Sequence, residues 1–135
     1  GIDEITPIIC DNSERKVVKL ERLSKIIQAA MKQSLQFTLP KLNAPIKFSD
    51  FIKQTFTEEV FIAHCEDNIE KKTLKNIATK NSKYTIMIGP EGDFSSKEIE
   101  KSLAVNFKPI SLGINRLRTE TAGLNVVQNI AFINQ

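Results

Sequence analysis

Four short apolar runs set the terms on which this chain can fold: ITPIIC (5–10), EVFIAHC (59–65), YTIMI (84–88) and FKPISL (107–112). Each is bounded by polar turn residues, and helical spacing fills the gaps between them. Leu20, Leu23, Ile27, Ala30 and Met31 predict a helix from about Glu21 towards Leu35, ended before the prolines of TLPKLNAP. Leu74, Ile77 and Ala78 give a weaker stripe, another helix opens near Ser95, and a terminal one runs to about Ile133. SDFIKQT reads as one or two helical turns capped by Ser49. Pro7 makes the first strand short or places it at an edge. Strands alternating with helices predict an α/β domain with a mainly parallel sheet and helices on both sides.

The bulk numbers narrow the class. At 135 residues, 41% apolar and 26% charged, the chain is an ordinary globular sequence long enough for one core. A net charge of +3 permits an anionic partner such as RNA without requiring one. Cys10 and Cys65 make neither a disulfide framework nor a zinc-ligand spacing, so no metal site is expected and a reducing, cytoplasmic setting fits. No apolar run reaches the roughly 18 residues of a membrane span, so no membrane partner is expected. The opening GIDEITPII, without an initiating Met, reads as a fragment or processed chain.

Chemistry concentrates in two glycine-containing turns. IGPEGDFSSKEI (88–99) follows a strand and opens a helix: Ser95 with Glu98 is a capping box, flanked by Phe94 and Ile99 at the positions of a hydrophobic staple. Gly89 and Gly92 allow close approach or positive φ, and Pro90 stiffens the turn. It is not a phosphate loop: it lacks the Walker and dinucleotide glycine spacings, and Glu91 and Asp93 would repel a phosphate. It is either a tight turn or a backbone cradle for a neutral heterocycle or a cation.

SLGINRLRTETAG (111–123) repeats the pattern of strand, glycine, polar turn and helix. Thr119 is a plausible N-cap and Glu120 suits the first turn, but Arg116 and Arg118 stand where a helix dipole disfavours cations. Arg118 is therefore expected to pair with Glu120 or Glu91, or to bind an external anion. One acidic and one basic turn at strand ends read as two walls of one site. The terminal helix is apolar on more than one stripe, which predicts a dimer interface. His64, the sole histidine, ends a strand at the same edge and is either a buried structural residue or a contact near the ligand.

The two late motifs at this separation resemble the signatures of the bacterial ribosomal RNA small-subunit methyltransferase E family, of the SPOUT class; CDNSERKVVK and IIQAAMKQS extend the resemblance over nearly the whole chain. The resemblance implies a carboxyl-terminal deep trefoil knot and a bound S-adenosyl-L-methionine. Gly89, Pro90, Glu91 and Gly92 match the first cofactor loop; Leu112, Gly113, Ile114, Leu117, Arg118, Thr119, Glu120 and Thr121 match the second. It further implies a homodimer and methylation of N3 of one uridine in the 16S rRNA of the small ribosomal subunit. Asp93 and Asn115 depart from the family's usual glycine and proline. Residues 1–135 are expected to form the methyltransferase domain without its first strand and helix, and without the family's amino-terminal PUA-like RNA-binding barrel. On this reading Arg118 stabilises charge on the uracil, Glu120 or Glu91 orients it, His64 lies near the donor, and Arg15 and Arg116 contact RNA. The alternatives are a SPOUT enzyme acting on tRNA or a ribose 2′-OH, and a non-catalytic RNA-binding fragment.

Overall fold

Pro7 divides the first apolar run into two: β1 (Glu4–Ile5) and β2 (Ile8–Ile9) are separate two-residue strands rather than one. The computed structural model describes residues 1–135. The helix α1 (Leu20–Gln33) follows, then β3 (Lys41–Leu42) and β4 (Ile46–Lys47), which pair in parallel with β1 and β2 respectively. Helix α2 (Phe48–Phe51) starts two residues earlier than a Ser49 cap would give: Lys47 is its N-cap, Ser49 lies inside the first turn, and no side chain caps it. Phe48 and Phe51 are both buried. Burying two aromatic rings is worth several kcal/mol, against about 1 kcal/mol for a serine cap.

The remaining elements are β5 (Glu59–Ala63), β6 (Lys72–Thr73), α3 (Leu74–Ile77), β7 (Tyr84–Ile88), α4 (Ser96–Ala104), β8 (Lys108–Ser111) and α5 (Thr119–Ile133). Four of them form a fully parallel sheet in the order β6-β8-β5-β7. Strand β5 is buried on both faces, which is why EVFIA reads as a continuous apolar run instead of alternating. Val60 and Ile62 join Phe48, Phe51, Met87, Phe94, Ile99 and Phe107 on one face. Phe61 turns to the other, against Leu74, Ile110 and Val126. Pro109 is tolerated inside β8 because β6 pairs only with Ile110 and Ser111, leaving that flank open beside the proline.

The strand order positions the site. Having laid β7 outside β5, the chain returns past β5 to insert β8 on the opposite side. Segment 112–118 must then stride back over the carboxyl end of β5, because α5 begins beside the end of β7. Two strand spacings separate β8 from β7, about 10 Å. The turns after β5, β7 and β8 are thereby stacked at one edge of the sheet.

Candidate functional site

The stacking is held by specific bonds. Thr119 Oγ1 donates to the Gly89 carbonyl at 2.8 Å, and Arg116 Nη2 reaches the Glu91 carbonyl at 3.4 Å. Cys65 N–H donates to Asp93 Oδ2 at 2.9 Å, joining the turn after β5 to the turn after β7. The acidic and basic turns are therefore two walls of one place.

One expectation about the second wall needs correction, and one is narrowed. Thr119 is not the N-cap of α5; Arg118 is, with no side-chain cap, because the threonine hydroxyl is committed across the gap to Gly89. Arg118 pairs with neither Glu120 nor Glu91, since the chain's two ion pairs, Lys25–Glu21 and Lys41–Glu4, lie elsewhere. Both Arg118 and Glu120 are exposed at the helix start. It is Arg116 that crosses to the first wall, and it does so through a backbone carbonyl.

The first wall follows its sequence closely. Ser95 Oγ accepts from Glu98 N–H and Glu98 Oε1 accepts from Ser95 N–H, completing the capping box. Phe94 and Ile99 are buried together beneath it. Asp93 has φ of +63°, a left-handed conformation that Asp tolerates better than most residues, and its carboxylate is occupied by Cys65 N–H. A Cβ on Gly89 would come 3.1 Å from the Phe94 ring, and one on Gly92 2.9 Å from Asn12 Cβ. Both glycines thus serve close packing within the protein.

The sequence reading missed a third wall. The polar stretch DNSERK, which follows the first apolar run, is a built turn docked on the start of α4. Asp11 N–H donates to Glu98 Oε2 at 3.1 Å, Ser95 Oγ donates to Asp11 Oδ2 at 2.7 Å, and Asn12 Nδ2 bridges the Gly92 and Asp93 carbonyls at 3.2 Å each. Glu98, although buried, has both carboxylate oxygens satisfied by backbone N–H groups. Lys16 closes the turn by donating to the Cys10 and Asp11 carbonyls, while Arg15 makes no bond within the chain. The Asp-Asn-Ser run is a turn signal. What it docks on is set 80 or more residues away and is invisible locally.

Between the three walls lies a cavity of about 320 Å³, at the lower end of the range for small-molecule sites. Of the expected site residues it is lined by Arg15, Gly89, Pro90, Glu91 and Thr119. Gly92, Leu112, Gly113, Ile114, Leu117, Thr121, Arg116, Arg118, Glu120 and His64 are outside its lining. The thiol of Cys10, also at the cavity, is pushed up to about 12 by burial and by Glu98 and Asp11, so it is not a nucleophile at neutral pH.

His64 is buried, and its Nδ1 accepts from Glu66 N–H at 3.1 Å. Its Nε2 is buried without a partner. Burial, and secondarily Lys71, lower its pKa below the usual imidazole value. The folded protein therefore resists protonating His64 where the unfolded chain accepts a proton. Its contribution to stability is complete above the unfolded value and is lost as pH falls from there through the lower folded value. Urea midpoints measured from neutral to acid pH should fall for the native chain and fall less steeply for His64→Gln.

A family model, the RNA methyltransferase domain, matches residues 1–131. The chain belongs to that family. It is 32% identical to ribosomal RNA small subunit methyltransferase E of Rickettsia conorii, over 98% of this chain and 55% of that protein. The crystal structure of a probable rRNA-methyltransferase from Porphyromonas gingivalis superposes with a TM-score of 0.90 at 39% identity, over 99% of this chain and 57% of that one. The ribosomal RNA small subunit methyltransferase E of Neisseria gonorrhoeae, bound to S-adenosyl methionine, gives 0.82 at 25% identity, over 98% and 57%. The chain spans about half the length of the curated relatives it matches. Its fold is the SPOUT type, a mixed α/β fold of parallel sheets and flanking helices with a carboxyl-terminal trefoil knot.

Proposed function

We propose that this chain is the catalytic domain of an S-adenosyl-L-methionine-dependent methyltransferase acting on N3 of one uridine in 16S rRNA. The observation that carries the reading is the closure of the two late loops on each other, Thr119 to Gly89 and Arg116 to Glu91, beside a cavity of ligand size. The site residues fit a donor held mainly by backbone atoms. The N–H groups of Ile114 through Arg118 have no partner within the chain, and the first turn of α5 has no side-chain cap. Gly113 has φ of +129° and faces open space, while the Ile114 side chain is fully exposed as a free apolar surface. Gly89, Pro90, Glu91, Gly92, Leu112, Gly113, Ile114, Leu117, Thr119 and Thr121 would hold the donor, and His64, at the end of β5, would lie near it.

When bound, the donor supplies a methyl group that is already electrophilic, so the reaction requires neither a metal nor a covalent protein intermediate. The protein's part is alignment and electrostatics. Uracil N3 must lose its proton to become nucleophilic, and the resulting charge spreads onto the uracil oxygens. The Arg118 guanidinium, unpaired at the start of α5, is free to receive that charge. Glu120, two residues along, tunes the local potential. Arg15 at the cavity and Arg116 at its rim fix the RNA backbone, as phosphate contacts do.

A homodimer belongs to the same reading. Leu124 and Phe132 of α5 are exposed, and a Cβ on Gly123 would meet no atom of this chain. A helix-interior glycine costs up to about 1 kcal/mol relative to alanine. Close approach of a partner's backbone gives that residue a purpose. No helix is long and apolar enough to cross a membrane, and a ribosomal RNA substrate implies a cytoplasmic protein.

Calorimetry with S-adenosylhomocysteine tests the class. Saturable binding by the native chain is the expected result, and its absence would leave only an RNA-binding module. Methylation of undermethylated small-subunit RNA with labelled donor, mapped by mass, separates uridine N3 from a ribose hydroxyl.

A further inference from the structure

The net charge of this protein is not spread over it. Residues 14–25, ERKVVKLERLSK, hold five cations and two carboxylates, a balance of +3 equal to that of all 135 residues. The other residues are therefore neutral in sum. This segment leaves the cavity wall at Arg15 and becomes the first half of α1, so the charge begins at the site and runs away from it.

The helix is unusually bare. None of its 14 residues is buried, and its outer side forms a shallow groove of about 750 Å³ lined by Lys19, Arg22, Lys25, Ile26 and Ala29 among others. Lys19 and Arg22 have no carboxylate partner. Lys25 meets Glu21 at 3.5 Å with both side chains about four-fifths exposed, a pairing worth little in water and readily exchanged. Lys16 is the exception: it is spent on the Cys10 and Asp11 carbonyls. The unpaired cations Arg15, Lys19 and Arg22, with Lys25 only loosely held by Glu21 in the same groove, thus form a track from the cavity to the first half of α1.

We propose that this track is a phosphate-binding surface for the RNA strand whose target base enters the cavity. The inference rests on the RNA-methyltransferase reading and adds to it the route by which the strand leaves the site. Charge complementarity selects the occupant. A second copy of this chain would present the same cations and be repelled, whereas a polyanion releases counterions with each phosphate neutralised. The track supplies affinity and register without reading sequence.

The test is fluorescence anisotropy of the native chain with a labelled small-subunit RNA fragment over a range of salt. The variants are Lys19→Gln/Arg22→Gln/Lys25→Gln and a control of equal charge change on other faces, Lys75→Gln/Lys83→Gln/Lys101→Gln. The track variant should bind about tenfold more weakly at moderate salt, with the slope of log K against log salt reduced by about 2. The control should match the native chain, and Lys19→Arg/Arg22→Lys/Lys25→Arg should restore binding. Equal losses in track and control variants, native RNA affinity in the track variant, or no RNA binding by the native chain would each overturn the proposal. So would a track variant that changes only the sedimentation of the protein, which would make this a protein interface. S-adenosylhomocysteine calorimetry on the same samples should be unchanged. Failure of the native chain itself to bind the donor analogue would count against the methyltransferase reading, while the salt slope would still decide the track independently.

Discussion

Replacing Phe94 by alanine should lower stability by about 3–5 kcal/mol, the range for emptying a buried phenylalanine site. Phe94 is 4% exposed, packs 6.1 Å from the Phe48 ring, and shares a core with Ile99, Met87 and Phe107. It also joins two jobs that a generic core residue keeps apart. It precedes the capping box of α4, and its ring lies against Gly89, the residue whose carbonyl receives Thr119. The cavity it leaves is under the first wall, so the wall loses its floor as well as its anchor. Urea unfolding should show a lower midpoint with an unchanged m-value. Calorimetry under native conditions should show weaker S-adenosylhomocysteine binding than in Phe61→Ala, which empties an equally buried site on the opposite face of the sheet. If the two variants lose donor affinity equally, Phe94 supports the fold but not the loop.

Arg118→Ala should lower kcat by about 10²- to 10³-fold, the usual effect of removing one donor to a developing oxyanion. The structure makes this a clean experiment. Arg118 is exposed, forms no ion pair, and caps α5 through its backbone rather than its side chain. Truncating it should leave stability and S-adenosylhomocysteine affinity untouched while turnover collapses. Arg118→Lys keeps the charge but loses the planar fork, and an intermediate rate is expected. Turnover of Arg118→Ala at the native rate would remove the residue from the mechanism and return attention to Arg15, which lines the cavity directly.

Several features were legible in the residues because the forces that make them are local. The capping box needs only Ser95 and Glu98 three positions apart, and the staple only Phe94 and Ile99 around them; all four behave as written. Strands β5 and β7 announce themselves as dense apolar runs because both lie in a sheet covered on its two faces. Local signals failed where a distant partner offered more. Ser49 and Thr119 are both good caps by type, and neither caps. Buried phenylalanines shift the start of α2, and a carbonyl 30 residues back claims the Thr119 hydroxyl. Sequence alone left open whether Arg118 pairs within the chain or faces an external anion, since charge in sequence says nothing about which side of a crossing a side chain falls on; the structure shows it without an ion pair.

What the chain's residues determine alone is a set of short strands and helices, two glycine turns at strand ends, and the signatures that tie them to one family. Periodicity and capping are interactions within a few residues, and they survive in any arrangement of the elements. That β8 inserts between β5 and β6, so that segment 112–118 crosses β5 and three turns meet at one edge, was decided only in three dimensions. Strand order depends on burying both faces of the sheet at once, a condition on the whole core that no window of sequence contains.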